Sequence, residues 1–203
     1  MVILNGAPRS GKSSIVRAMQ ADASVSWMNL GVDVVMSMTP PHLRPGIGLR
    51  PDGERPDLED HVAATFAWMY DAIAHMSRQG FDVVVDVGHH DAYSRPLGTL
   101  VDAAHRLVDL PTLLVGVRCP VEVVMARRDA ESEQGRRYLG TTADGEIPAP
   151  VRRWQTEVHR PGVYDLEVDT STLSPEACAE RIEARLADPA TPTAFASLRS
   201  SVG

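Results

Sequence analysis

The sequence predicts an α/β fold in which a five-stranded, mainly parallel sheet carries helices on both faces. Two observations predict it. Five short apolar runs alternate with helix-periodic stretches along the 203 residues. A glycine-rich turn, GAPRSGKSS, joins the first of those runs to the first helical pattern. Length and composition agree with one domain: 43% of residues are apolar and 23% charged, an ordinary balance for a globular chain.

The first strand is expected at residues 2–5, and the helix after the turn shows Ile15, Val16 and Met19 on one face. Between them Gly6, Gly11, Lys12 and Ser13 satisfy G-x-x-x-x-G-K-[ST], the P-loop pattern. Its glycines let backbone N–H groups converge on phosphate oxygens, and the helix N-terminus adds positive partial charge. The expected nucleotide cradle is Gly6, Ala7, Pro8, Arg9, Ser10, Gly11, Lys12, Ser13 and Ser14. Lys12 is expected to bridge the β- and γ-phosphates of a nucleotide, with the Ser13 hydroxyl as a Mg²⁺ ligand. The plain alternative is an ordinary glycine-rich turn.

The second strand is expected at 26–30, followed by a helix suggested by Val34, Val35 and Met38. Residues 39–60 are rich in Pro and Gly, lack periodicity and read as a long loop. A helix over 61–79 follows, with Val62, Phe66, Met69, Ile73 and Met76 as its apolar stripe and Gly80 as its stop. Strands at 82–86, 112–118 and 165–169 complete the sheet, and 175–187 reads as a final helix. The chain divides into a domain over 1–187, with a lid at about 131–154, and a loosely held tail at 188–203.

Asp86 ends the third apolar run, where a second Mg²⁺ partner beside the P-loop belongs; capping the next loop is its alternative role. Asp33, just past the second strand, faces the same crevice and is the candidate base for the acceptor hydroxyl, or else the N-cap of the next helix. Arg127, Arg128, Arg136 and Arg137 follow the fourth strand; Arg127 is the candidate nucleotide contact and Arg136 the candidate catalytic cation, against a solvated helix face. The adjacent His89 and His90 read as pocket or loop residues rather than metal ligands. Trp27 and Trp68 default to the core, although Trp68 lies off the apolar stripe and could face a ligand. The acceptor side is expected from Val34, Met38, Pro41, Leu43, Val87, His89 and His90, with Arg44 and Arg50 as exceptions to its weak polarity.

A net charge of -7 argues against general electrostatic binding of nucleic acid or an anionic membrane. The partner implied is a small hydroxylated molecule, and a homo-oligomer is compatible with the sequence. Two distant cysteines suggest neither a disulfide framework nor a zinc site. With the P-loop so close to Met1 and no apolar run of spanning length, a cytoplasmic location is expected. No N-K-x-D pattern for guanine is present.

Several stretches in order, ILNGAPRSGKSSIVRAMQ, GVDVVM, VVVDV, VGVRCP and EVHRPGVYDLEVDTS, resemble the chloramphenicol phosphotransferase family. The resemblance spans about residues 2–172. It implies a P-loop NTPase fold of nucleoside-monophosphate-kinase-like type, ATP as donor, Asp33 as base and lid arginines on the phosphates. The sequence departs from the family pattern at Val87–Gly88 and over 134–153, on the acceptor and lid side. Phosphorylation of chloramphenicol or another antibiotic-like alcohol is the leading expectation. A metabolic kinase acting on a nucleoside or sugar-type acceptor and a non-catalytic ATP-binding regulator are the alternatives.

Overall fold

The computed structural model describes residues 1–45, 54–132, 139–160 and 162–200. Five parallel strands, β1 (Val2–Asn5), β2 (Met28–Asn29), β3 (Val83–Val87), β4 (Leu113–Arg118) and β5 (Leu166–Asp169), form one sheet in the order β2-β3-β1-β4-β5. β1 is therefore central, with Leu4 registered against both Asp86 and Val115. The chain reverses its direction of travel across the sheet on either side of β1, and ligand crevices open at the carboxyl end of such a strand.

Side-chain alternation assigns each strand residue to a face. Ile3, Val83, Val85, Val87 and Leu114 meet α2 (Val32–Met38), α3 (Glu59–Arg78), α4 (Thr99–Arg106) and α8 (Ala194–Ser200). Val2, Leu4, Val84, Val115, Val117 and Val168 meet α1 (Lys12–Ala21) and α7 (Pro175–Ala187). Asp86 shares the face of Val84, which directs its carboxylate toward α1. A smaller cluster of Ala7, Cys119, Val124, Met125, Val151, Trp154 and Val158 joins α5 (Val121–Ser132) and α6 (Ala149–Glu157) to the loop after β1.

Expected and observed strands agree to within a residue except β2, an edge strand reduced to two residues. α7 covers the expected 175–187, capped by the Ser174 hydroxyl, and α3 ends before Gly80, whose φ is +90°. The expected loop over 39–60 contains short 3-10 turns at Pro41–Leu43 and Pro56–Leu58. The expected loose tail is different. Residues 194–200 form α8, which buries Ala194, Phe195 and Leu198 against α4. No helix among the described residues is long and apolar enough to cross a membrane.

Candidate functional site

The turn after β1 wraps closely because its side chains leave room. A Cβ on Gly6 would stand 2.6 Å from the Val117 carbonyl oxygen, and Gly11 holds φ at +96° beneath Thr170. Arg9, at the apex, also sits in the left-handed region with φ +73°. Lys12 begins α1 and folds back, donating to the Gly6 and Ala7 carbonyls at 2.8 and 2.9 Å. Burial lowers its ammonium pKa to about 8, while the charges of Asp86 and Asp33 act to raise it. Among the described residues its hydrogen bonds go to carbonyl oxygens, so it is a cation in a concave loop that an anionic phosphate would complete.

The Ser13 hydroxyl donates to the Asp86 carboxylate at 2.6 Å, across from α1 to β3. Gly31 is required beside this pair: a Cβ there would lie 1.8 Å from Asp86 Oδ1. A hydroxyl and a carboxylate are hard oxygen donors, and together they could hold Mg²⁺ with phosphate oxygens and water supplying the rest.

Asp33 is exposed in the first turn of α2 and lines the same cavity as Lys12, Ser13 and Asp86. Gly31, not Asp33, occupies the N-cap. Arg127 turns toward the P-loop, donating to the Arg9 carbonyl at 3.2 Å and to the Thr170 carbonyl and hydroxyl at 2.8 and 3.1 Å. Thr170 in turn donates to the Ser10 carbonyl at 2.6 Å. Arg128, the next residue, is buried and reaches the Leu139 carbonyl instead. Arg136, Arg137 and Arg50 lie outside the described residues. Of the expected lid, residues 149–154 belong to α6.

The cavity, about 1440 Å³, extends from the P-loop in two directions. Arg127, Thr170, Leu173 and Pro175 line one end. Val32, Met36, Val62, Phe66, Met69, Tyr93 and Trp154 give the other an apolar wall, interrupted by Arg44, Arg55 and His61. Several expected acceptor residues are placed elsewhere. Val34 and Met38 are exposed on the outer face of α2, because the helix starts at Val32 and turns Val35 inward. Trp68 is exposed and off the cavity, and Leu43 does not line it; Trp27 is core. Tyr93, Trp154, Arg55 and His61 went unforeseen, since they come from four segments that no local pattern connects.

His89 and His90 lie behind the wall. His89 bonds Tyr70 through Nε2 and Thr99 through Nδ1, at 2.7 and 2.8 Å, and its backbone N–H donates to the Asn5 side chain. Burial drives its pKa down to about 3 and that of His90 to about 4, so both are neutral. Asn5, the last residue of β1, also donates to Tyr164 and to the Val158 carbonyl, bracing the strand that carries the P-loop.

This geometry has counterparts. The structure is similar to the Mycobacterium tuberculosis APS kinase CysC in complex with AMPPNP and APS: TM-score 0.61, 16% identity, 92% of this chain and 96% of that one. It is similar to the Deinococcus radiodurans tunicamycin resistance protein, at TM-score 0.58 and 18% identity over 94% and 96% of the two chains. The Acinetobacter baumannii shikimate kinase in complex with shikimate aligns at TM-score 0.55 and 11% identity over 92% of each chain. Such identities carry the fold alone. No curated protein matches the chain in sequence. The family model of chloramphenicol phosphotransferase-like proteins, however, matches residues 1–187, from β1 to the end of α7. With its phosphate-type loop, parallel sheet and two-ended cavity, the chain is a P-loop phosphotransferase of the kinase type and belongs to the chloramphenicol phosphotransferase-like family.

Proposed function

We propose that the chain is an ATP-dependent O-phosphotransferase acting on a hydroxyl of a small antibiotic-like molecule, chloramphenicol or a related natural product. One observation carries this reading: Asp33 shares a cavity with Lys12, Ser13 and Asp86 and stands beside an apolar acceptor wall. The nucleotide lies toward Arg127, Thr170 and Leu173, with its phosphates in the loop of residues 6–14. Mg²⁺ held by Ser13 and Asp86 would neutralise phosphate charge.

In the reaction, the acceptor oxygen forms a bond to the γ-phosphorus as the bond to the bridging oxygen breaks. ADP leaves with that electron pair. Asp33 takes the hydroxyl proton, and Lys12 offsets charge spreading over the phosphoryl oxygens. Mass spectrometry of chloramphenicol incubated with protein, ATP and Mg²⁺ tests the reading. A gain of one phosphoryl group, lost in Lys12→Ala, is expected. Asp33→Asn should lower kcat about 10²–10⁴-fold with ATP affinity retained, and near-normal turnover would remove Asp33 from the base role.

A second reading, a metabolic kinase with an anionic acceptor, is favoured by Arg44. Its Nε donates to the Thr39 carbonyl, and the residue lines the cavity. Turnover of a carboxylated sugar or cyclitol, lost in Arg44→Ala, would support that reading over the first.

A further inference from the structure

The acceptor wall contains one side chain whose placement is unusually well defined. Trp154 comes from α6, distant in sequence from the P-loop, yet its indole lies on the bare backbone of Gly88 at the tip of β3. A Cβ at position 88 would stand 2.9 Å from Trp154 Cζ3 and 3.2 Å from the Gly6 carbonyl oxygen. That same carbonyl accepts from Lys12 Nζ at 2.8 Å. The indole therefore borders both the start of the phosphate loop and the cavity it lines.

His90 holds it there. His90 Nδ1 accepts from the Ala92 N–H at 3.1 Å, so in the neutral ring the proton resides on Nε2, which has no hydrogen-bond partner among the described residues. The imidazole stacks on Tyr93 with centroids 4.2 Å apart and meets Trp154 edge-on, also at 4.2 Å. Tyr93 and Trp154 line the cavity and His90 backs them. On the outer side, Arg153 pairs with Glu54, which ties α6 to the segment that brings Arg55 into the same cavity. The Gly88 backbone and the His90 ring thus orient two flat aromatic side chains on the wall.

Aromatic side chains held in fixed orientations favour planar conjugated partners by offset or edge-to-face contact, beyond the gain from area alone. We propose that Trp154 is a specificity-determining residue that touches the acceptor and, with Tyr93, selects alcohols bearing a planar conjugated ring. This rests on the phosphotransferase reading above and narrows its acceptor class.

The test uses the full chain carrying Trp27→Phe and Trp68→Phe, in which Trp154 is the remaining indole, saturated with AMPPNP and Mg²⁺. Chloramphenicol, whose nitrophenyl group quenches indole emission on contact, is titrated against it. The comparison ligand is the same dichloroacetamide diol with hydrogen in place of the nitrophenyl group. Saturable quenching is expected with chloramphenicol and not with the truncated diol. By calorimetry, Trp154→Leu should weaken chloramphenicol about tenfold and Trp154→Phe should restore most of the affinity. Truncated-diol affinity should change less than about twofold, a ratio that cancels any difference in folded fraction. Quenching that does not saturate, or equal losses for both ligands, overturns the assignment whatever alcohol is phosphorylated. Saturable quenching without phosphoryl transfer leaves Trp154 as the contact for the planar ring and overturns chloramphenicol as the alcohol that is phosphorylated.

Discussion

At the scale of single residues, Lys12 carries the most direct consequence. Its ammonium pKa of about 8 lies below the ordinary lysine value because burial penalises the charge. A phosphate binds the protonated form, so ATP affinity should fall as pH rises through the free-protein pKa. Between pH 7 and 9 the expected loss is about tenfold by calorimetric titration. Lys12→Arg should bind with no such slope, since a guanidinium keeps its proton there. Asp33→Asn should move the break to lower pH, because the Asp33 charge helps retain the lysine proton. A flat wild-type profile would contradict the buried-ammonium argument. The P-loop motif is legible in sequence because it is contiguous, whereas the choice of Arg127 over Arg128 had no local pattern behind it. Neighbours on a helix diverge by about 100°, and only the packing of α5 decides that Arg127 meets Thr170 while Arg128 turns to Leu139.

At the scale of elements, legibility followed periodicity. α3 and α7 present clear apolar stripes and were read nearly to their ends. α8 escaped because its apolar residues are few in a run of small and polar ones; what holds it is tertiary. The Asp165 carboxylate, at the start of β5, accepts from the Thr193 and Ala194 N–H groups at 2.6 and 2.9 Å and so caps the helix from outside. Its other oxygen accepts from Leu114 N–H, and Arg199 donates to the Ala104 carbonyl. Removing residues 188–203 uncovers the part of α4 on which α8 packs and discards the burial of Phe195 and Leu198, about 4 kcal/mol together. The melting temperature should drop by roughly 10 °C. An unchanged melting temperature would show α8 to be a passenger. Because α8 lies away from the P-loop, ATP affinity of the folded truncated chain should be retained.

At the scale of the whole molecule, the buried histidines couple the fold to pH. His89, His90 and His159 are pushed by burial to about 3, 4 and 4, far below their value near 6.5 in an unfolded chain. Between pH 4 and 6.5 the unfolded state therefore binds protons that the folded state refuses. Stability is at its full value above about pH 6.5 and is lost as pH falls toward 4, the direction required when a base has a depressed folded pKa. With three such groups the slope approaches about 4 kcal/mol per pH unit at most. These histidines brace different parts of the site. His89 joins Asn5 to Tyr70 and Thr99, His90 backs Tyr93 and Trp154, and His159 meets Tyr164, which Asn5 also contacts. Acid should thus loosen the acceptor wall and the base of the P-loop together with the global fold. Urea unfolding at pH 7.5, 6 and 5 should show a midpoint falling steeply below pH 6.5, with a smaller slope in His159→Asn, which removes one of the three protons. A midpoint constant over that range would mean that the histidines titrate alike in both states, and that burial does not hold them neutral.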